Sequence, residues 1–369
     1  MTTSLAKYAI REVILGYDAK VLVATIKSDE SHLGQFAFYV FRNGERIHMQ
    51  WYTSDPVLRF DTKAEPGLYR VLAFFGDPSG KKNSKYSNPL FLHPVIYRLG
   101  GGLRKPLPEE RTLLLQGNHW SFPAVYYAGK EQQPLFVMLS AAINRSKHTL
   151  PAFNRWTWAS KFPGHVLCVA DPTLELHDGM ELGWYLGTEK HDATEELCML
   201  VRQFAEALSI PHRMIVFWGS SGGGFAALAL ASRIEETTAV AINAQTDVFA
   251  YESVRTVEAV RKNCFDGITE AQIKKGFLPR VNMAEAWRGN RSSRAIVVQN
   301  EIDKHHFESH FLPFWKALGG KAEEEQHLDG RHCKMLYKDA RGHGPESEEM
   351  LKEILCLIHP EITKSSKAT

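Results

Sequence analysis

The feature that most constrains this chain is the turn Gly219-Ser220-Ser221-Gly222-Gly223, set between two apolar segments. Met214-Ile215-Val216-Phe217-Trp218 reads as a buried strand before it, and Phe225 to Arg233 as a helix after it. A strand, then Gly-x-Ser-x-Gly, then a helix describes a tight, strained turn that lifts one serine clear of the sheet edge. Residues two before and two after that serine must be small, and Gly219 and Gly223 are. The helix start near Gly222 offers backbone N–H groups and a positive dipole end to a developing oxyanion. Ser221 is therefore the predicted nucleophile. Ser220 is the weaker choice, because it lacks the symmetric glycines. Glycine-rich turns also bind phosphate, but the chain has neither Gly-x-Gly-x-x-Gly nor Gly-Lys-[Ser/Thr].

A serine hydroxyl attacks only when a histidine takes its proton, and a carboxylate must orient that histidine. Around a turn of this kind the chain order runs serine, acid, histidine. Asp303 follows the apolar run Ala295-Ile296-Val297-Val298-Gln299 and is the predicted acid. Glu301 and Asp247 are the alternatives. Gly342-His343-Gly344-Pro345 precedes the last helical segment, and its glycines would let an imidazole reach inward, so His343 is the predicted base. His305, His306 and His310 cluster after Asp303. Asp303, His306 and His310 have a spacing that could meet on one helical face as metal ligands, but without a cysteine or a second carboxylate cluster that alternative ranks below substrate contact, and no metal is expected. Substrate contact is the expectation for His306 and His310, with His306 also an alternative base. Oxyanion donors are expected at Gly222 and in the loop after Leu135-Phe136-Val137-Met138-Leu139, at Ala141 or Ala142. Asn144 and Arg145 would reach substrate or brace the next segment.

The chain around these residues has two grammars. Residues 1–95 alternate as short strands, with Asn43-Gly44 as a hairpin signal. "PGLYRVLAFFGDPSG…YSNPLFL" looks like the last hairpin of an immunoglobulin-like or fibronectin-like module. A structural or glycan-contacting accessory domain is expected there. Residues 96–133 read as a linker and entry to a sheet, and 134–369 as the catalytic domain, where apolar runs alternate with helical patterns. Alternation of that kind predicts a mainly parallel sheet covered on both faces. Trp156, Trp158, Trp184 and Tyr185 would either stack on sugar rings or fill the core, and core is favoured.

Composition excludes several classes. The net charge is +2, which calls for neither nucleic acid nor an anionic membrane. No run approaches a membrane span, and the first residues have no secretory pattern. Five scattered cysteines with no CxxC pair fit a reducing compartment, so a cytoplasmic location is expected. The sequence carries no signal for an oligomeric state.

The serine, acid and histidine order resembles the α/β-hydrolase superfamily across about 134–360. The phrases "WGSSGGGFAAL", "INAQTDVFAY" and "VVQNEIDKHHFESHFLPF" are similar to a bacterial group found with surface-polysaccharide biosynthesis genes, which includes capsule O-acetyltransferases and accessory-secretion acetyltransferase-like proteins. The resemblance implies an α/β-hydrolase-like sheet with a Ser221-Asp303-His343 triad, preceded here by an immunoglobulin-like β-sandwich that the plain fold lacks. It implies a serine esterase or O-acyltransferase acting on a polysaccharide, other glycan or small ester. No cofactor is expected beyond acetyl-CoA as the acyl donor of a transferase. A peptidase or other amide hydrolase of the same fold, and a non-catalytic glycan-binding scaffold, are the competing expectations.

Overall fold

The computed structural model describes residues 10–28, 34–76, 82–102, 104–106, 111–321, 327–328, 331–344 and 346–358. Pro345, part of the predicted histidine loop, and the loop 77–81 of the predicted last hairpin lie outside the described residues. Contacts divide the chain into two compact units. One is drawn from residues up to 96 with the segments 108–114 and 146–151, and the other from the remainder.

The first unit holds eight short strands: β1 (Ile10–Asp18), β2 (Val21–Ser28), β3 (Gln35–Arg42), β4 (Glu45–Thr53), β5 (Val57–Asp61), β6 (Gly67–Gly76), β7 (Lys82–Tyr86) and β8 (Leu90–Leu92). They form two antiparallel sheets, ordered β1-β2-β5 and β4-β3-β6-β7, with β8 pairing with β6. Alternate residues of β2, β3 and β6, with Leu58 of β5, face a shared core that includes Leu22 and Ala24 from one sheet and Phe36, Phe38, Val71 and Phe75 from the other. This is the expected sandwich. Asn43 and Gly44 both have positive φ, at 54° and 89°, and join Arg42 to its pairing partner Glu45. Such a two-residue turn is what Asn-Gly favours. The strand β1 carried no clear signal, because Arg11 and Glu12 interrupt its apolar pattern.

The second unit is built on a ten-stranded sheet, in which the first residues of β9 and β10 are counted with the first unit. Its strands are β9 (Val95–Arg98), β10 (Thr112–Gln116), β11 (Ser121–Tyr127), β12 (Leu135–Leu139), β13 (His165–Val169), β14 (Ile215–Ser220), β15 (Thr238–Ile242), β16 (Arg294–Asn300), β17 (His327–Leu328) and β18 (His332–Tyr337). The spatial order is β17-β18-β16-β15-β14-β12-β13-β11-β10-β9. The six strands β13, β12, β14, β15, β16 and β18 pair in parallel, while β11 and β17 pair antiparallel with their neighbours. Every residue of β12, β13 and β15 is buried. Continuous apolar strands are what a sheet covered on both faces requires.

The helices are α1 (Ala193–Ala207), α2 (Gly222–Ala231), α3 (Val254–Cys264), α4 (Glu270–Val281), α5 (Met283–Ala286), α6 (Lys304–His306), α7 (Leu312–Ala317) and α8 (Glu348–Ile358). Asp192 caps α1, accepting from Glu195 N–H. All ten residues of α2 are buried, and it starts at Gly222, where the helix start was expected, ahead of the apolar run from Phe225. None of the five cysteines is in a disulfide. Among the described residues no helix is long and apolar enough to cross a membrane.

Candidate active site

β14 delivers Ser221 to the sheet edge at φ 54° and ψ −123°. Positive φ at a residue with a Cβ costs about 1–3 kcal/mol and survives only where neighbours enforce it. Here they do. Ser221 N–H donates to Ile242 O at 2.9 Å, and Ser221 O accepts from Gly224 and Phe225 N–H. A Cβ on Gly219 would lie 2.1 Å from the Gly223 carbonyl carbon, and one on Gly223 would lie 2.5 Å from Leu139 O. The two flanking glycines are thus required by backbone contact. The second contact also sets the turn against the end of β12, where Ala141 and Ala142 follow. Ser140 N–H donates to Tyr185 Oη at 2.8 Å, and that hydroxyl donates to Val169 O at 2.7 Å. Ala141 is half-buried and Ala142 exposed.

Asp303 stands three residues beyond the end of β16, and His343 in the loop after β18. Asp303 Oδ2 lies 2.8 Å from His343 Nδ1. His306 Nδ1 lies 3.1 Å from Asp303 Oδ1 and 3.0 Å from Oδ2. One carboxylate therefore meets two imidazoles, whose rings stack with centroids 4.1 Å apart. Burial alone would raise the Asp303 pKa. The charge of His306 and hydrogen bonds from His343 and His306 outweigh burial and hold it below the usual value. Burial, then the charge of His343, pushes His306 down to about 4. The Asp303 oxygen and the two ring nitrogens lie within 4.8 Å of one another, a spacing that a metal ion could also bridge. The hydrogen bonds among them account for that spacing directly.

Two buried asparagines hold the acid and histidine loops together. Asn300 Nδ2 donates to Asp339 O at 2.8 Å and Gly342 O at 2.7 Å. Its Oδ1 accepts from Ile302 and Asp339 N–H. Asn243 Oδ1 accepts from Asn300 N–H at 2.7 Å, and its Nδ2 donates to Tyr337 Oη and Gly344 O.

The other expected residues are placed as follows. Asp247 caps its own turn, accepting from Phe249 N–H and Asn282 Nδ2. Glu301 lies 3.7 Å from Lys338 Nζ. Neither has a histidine partner among these contacts. Arg145 Nη1 donates to Leu174 O and Met180 O, which braces a loop. Asn144 is exposed. His310 is fully buried, and its Nδ1 accepts from Thr246 N–H. Trp184 and Tyr185 are core residues. Phe153, Arg155, Trp156, Trp158, Ser220 and Glu346 line a cavity of about 330 Å3 beside the turn. Arg155 and Glu346 pair across 2.6 and 2.5 Å contacts, buried, with Trp218 Nε1 donating to the same carboxylate.

Sequence reasoning missed Gln245. Its Nε2 lies 2.9 Å from Ser221 Oγ and 2.9 Å from His306 Nε2. The residue is a neutral amide just after a strand, and nothing in its type or spacing marks it.

No family model matches the chain, and no curated protein does. Solved structures do. A capsule O-acetyltransferase of Neisseria meningitidis serogroup A is 14% identical with a TM-score of 0.50, over 69% of this chain and 98% of that one. A glycosylation-associated protein complex from Streptococcus agalactiae is 10% identical with a TM-score of 0.51, over 98% of this chain and 73% of that one. A dipeptidyl peptidase 4 of Porphyromonas gingivalis is 13% identical with a TM-score of 0.50, over 96% of this chain and 50% of that one. Taken with the strand order and the serine turn, these likenesses show that the chain has the α/β-hydrolase fold, with a β-sandwich preceding it in sequence.

Proposed function

We propose that this protein is a serine-dependent acyl-transfer enzyme, with residues 134–369 as its catalytic part and residues 1–95 as an accessory part. The observation that carries the reading is the strained Ser221 turn in one sheet edge with the paired Asp303 and His343. His343 Nδ1 donates to Asp303, which leaves Nε2 to take a proton. His306 is less suited to be the base, because its Nε2 is engaged by Gln245 and burial disfavours its charged form.

In the proposed reaction Ser221 Oγ forms a bond to the carbonyl carbon of an ester or thioester. Its proton passes to His343 Nε2, and the carbonyl π pair moves onto oxygen. The N–H groups of Gly222 and of Ala141 or Ala142 receive that oxyanion. Collapse expels an alcohol or thiol, which takes the proton from His343. The acyl group on Ser221 then passes to water or to a sugar hydroxyl, with His343 as base again. Acetyl-CoA is the proposed donor. The likeness to the Neisseria capsule O-acetyltransferase, a variant of which was solved with CoA, supports that choice. A glycan hydroxyl is the proposed acceptor, and the aromatic cavity beside Ser220 has the ring-lined character that sugar binding uses. Five cysteines without a disulfide support action in the cytoplasm.

The test is intact-mass detection of an acetyl adduct after incubation with acetyl-CoA. The expected result is a single acetyl on the wild type and none on Ser221→Ala. Cleavage of chromogenic peptides with no acetyl adduct would move the assignment to a peptidase. Failure to react with any acyl donor or fluorophosphonate would leave a binding scaffold.

A further inference from the structure

Gln245 is fully buried, and its amide is held from three directions. Trp184 Nε1 donates to Gln245 Oε1 at 3.3 Å. Indole N–H only donates, so it identifies the oxygen end of the amide. The nitrogen end faces Ser221 Oγ and His306 Nε2, each at 2.9 Å. An amide nitrogen carries two hydrogens and accepts nothing, so both partners accept. His306 Nε2 is therefore bare. The single ring proton of neutral His306 sits on Nδ1, which faces Asp303. Trp184 thus sets the polarity of a continuous chain: Trp184 to Gln245, Gln245 to Ser221 and His306, His306 to Asp303.

We infer that Gln245 and His306 are positioning residues of the serine machinery, a connection between Ser221 and Asp303 that does not pass through His343. The inference rests on the acyl-transfer reading. Gln245 occupies one acceptor site of Ser221 Oγ, which leaves the hydroxyl proton free for the base. His306 gives Asp303 a second N–H donor. A carboxylate shared between two donors is a weaker acceptor for each. Removing the His306 donor leaves the whole acceptor capacity of Asp303 to His343.

The experiment measures the rate of fluorophosphonate labelling of Ser221, and acetyl turnover where it occurs, as a function of pH. Gln245→Met keeps side-chain volume and removes the donor. It should lower kcat or the labelling rate about tenfold or more with KM within about twofold, the pattern of lost alignment rather than lost binding. His306→Phe should move the acid-side midpoint of the pH profile upward by about half a unit or more, since the midpoint reports the essential base. His306→Gln, whose amide can again donate to Asp303, should return the midpoint toward the wild-type value. Trp184→Phe leaves Gln245 in place but frees its orientation, and should give an intermediate loss if the Gln245 variants fold poorly. The 15N spectrum of the wild-type histidines should show His306 protonated at Nδ1 and bare at Nε2.

Gln245→Met and His306→Phe with wild-type rates and unmoved midpoints would overturn the inference while leaving acyl transfer intact. So would a wild-type His306 protonated at Nε2. A wild type that neither labels nor turns over would remove the acyl-transfer reading first, which keeps the two failures apart.

Discussion

The rings of His306 and His343 stack with centroids 4.1 Å apart and planes at 25°. Two imidazolium ions at that spacing would repel, and His306 has only 2% of its surface exposed. Burial is the larger cause and the neighbouring charge the second, and together they bring His306 down to about 4. Burial, then the charge of His306, brings His310 down to about 3. Unfolded, both histidines would take a proton near the ordinary 6.5. As pH falls below 6.5 the unfolded chain binds protons that the folded chain refuses. Stability is therefore full above about pH 7 and declines as pH drops toward 4 and 3. Each depression corresponds to a loss on the order of a few kcal/mol. The melting temperature should fall steeply between pH 6.5 and 4, and His310→Asn should flatten that fall. Equal slopes in the two proteins would contradict this account.

Asn300 is the hinge pin between the acid and histidine loops. Its Nδ2 holds two carbonyls of the His343 loop, and its Oδ1 holds one N–H from each loop. Asn300→Asp is nearly isosteric but turns an acceptor toward the two carbonyls. It should destabilise the protein by about 1–3 kcal/mol, the penalty for unmatched buried polar groups. It should also lower kcat about a hundredfold by shifting His343 from Asp303. Unchanged turnover in a folded Asn300→Asp protein would show that the His343 loop is held by other contacts.

Tyr185 ties the ends of β12 and β13 through one hydroxyl. Tyr185→Phe leaves Ser140 N–H and Val169 O without that partner at no cost in volume. A loss of about 1–3 kcal/mol is expected in chemical denaturation. Because Ala141 follows Ser140, the variant should also slow acylation more than it weakens donor binding. A rise in KM alone would instead place this segment in substrate contact.

Arg155 and Glu346 form a buried pair, with side chains 8% and 0% exposed. Burial favours the neutral acid, but the Arg155 charge and hydrogen bond outweigh it and keep the Glu346 pKa low. Removing one partner strands the other's charge, so Arg155→Met should cost about 3–5 kcal/mol. The double variant Arg155→Met with Glu346→Leu should recover most of that. Urea denaturation of the three proteins checks it. A double variant as unstable as the single one would show that the pair does more than neutralise itself.

Much of this architecture was legible along the chain. Five of the six parallel strands carry a short apolar run with a turn or helix pattern after it, and burial on both faces leaves little else that such runs can do. The pattern places β18, with His332 and Lys334 in it, only somewhere within 322–337. The tight turn at Ser221 was legible because it tolerates only glycine at 219 and 223. The contact between Asp303 and His343 was expected from chain order. The rest hides for physical reasons. Ser121–Tyr127 contains Pro123, which argues against a strand, yet its carbonyl still accepts from Ala170 N–H. Asn243, Gln245 and Asn300 act through amide hydrogen bonds that create no charge or periodicity. His306 stood out as one of a cluster. Only its partners separate a fixed donor to Asp303 from a substrate contact.

The helix that carries Ser221 has no side turned to water: all ten residues of α2 are buried. Before β12, β14 and β15 have closed around it, the stretch Gly222–Ala231 is a wholly apolar peptide in an unfinished chain. Partly folded chains that expose such surface are the ones that aggregate. The segment that follows Ser221 is thus also a hazard during synthesis. Variants that loosen this sheet should first be lost as insoluble protein, with the surviving soluble molecules retaining full activity per molecule.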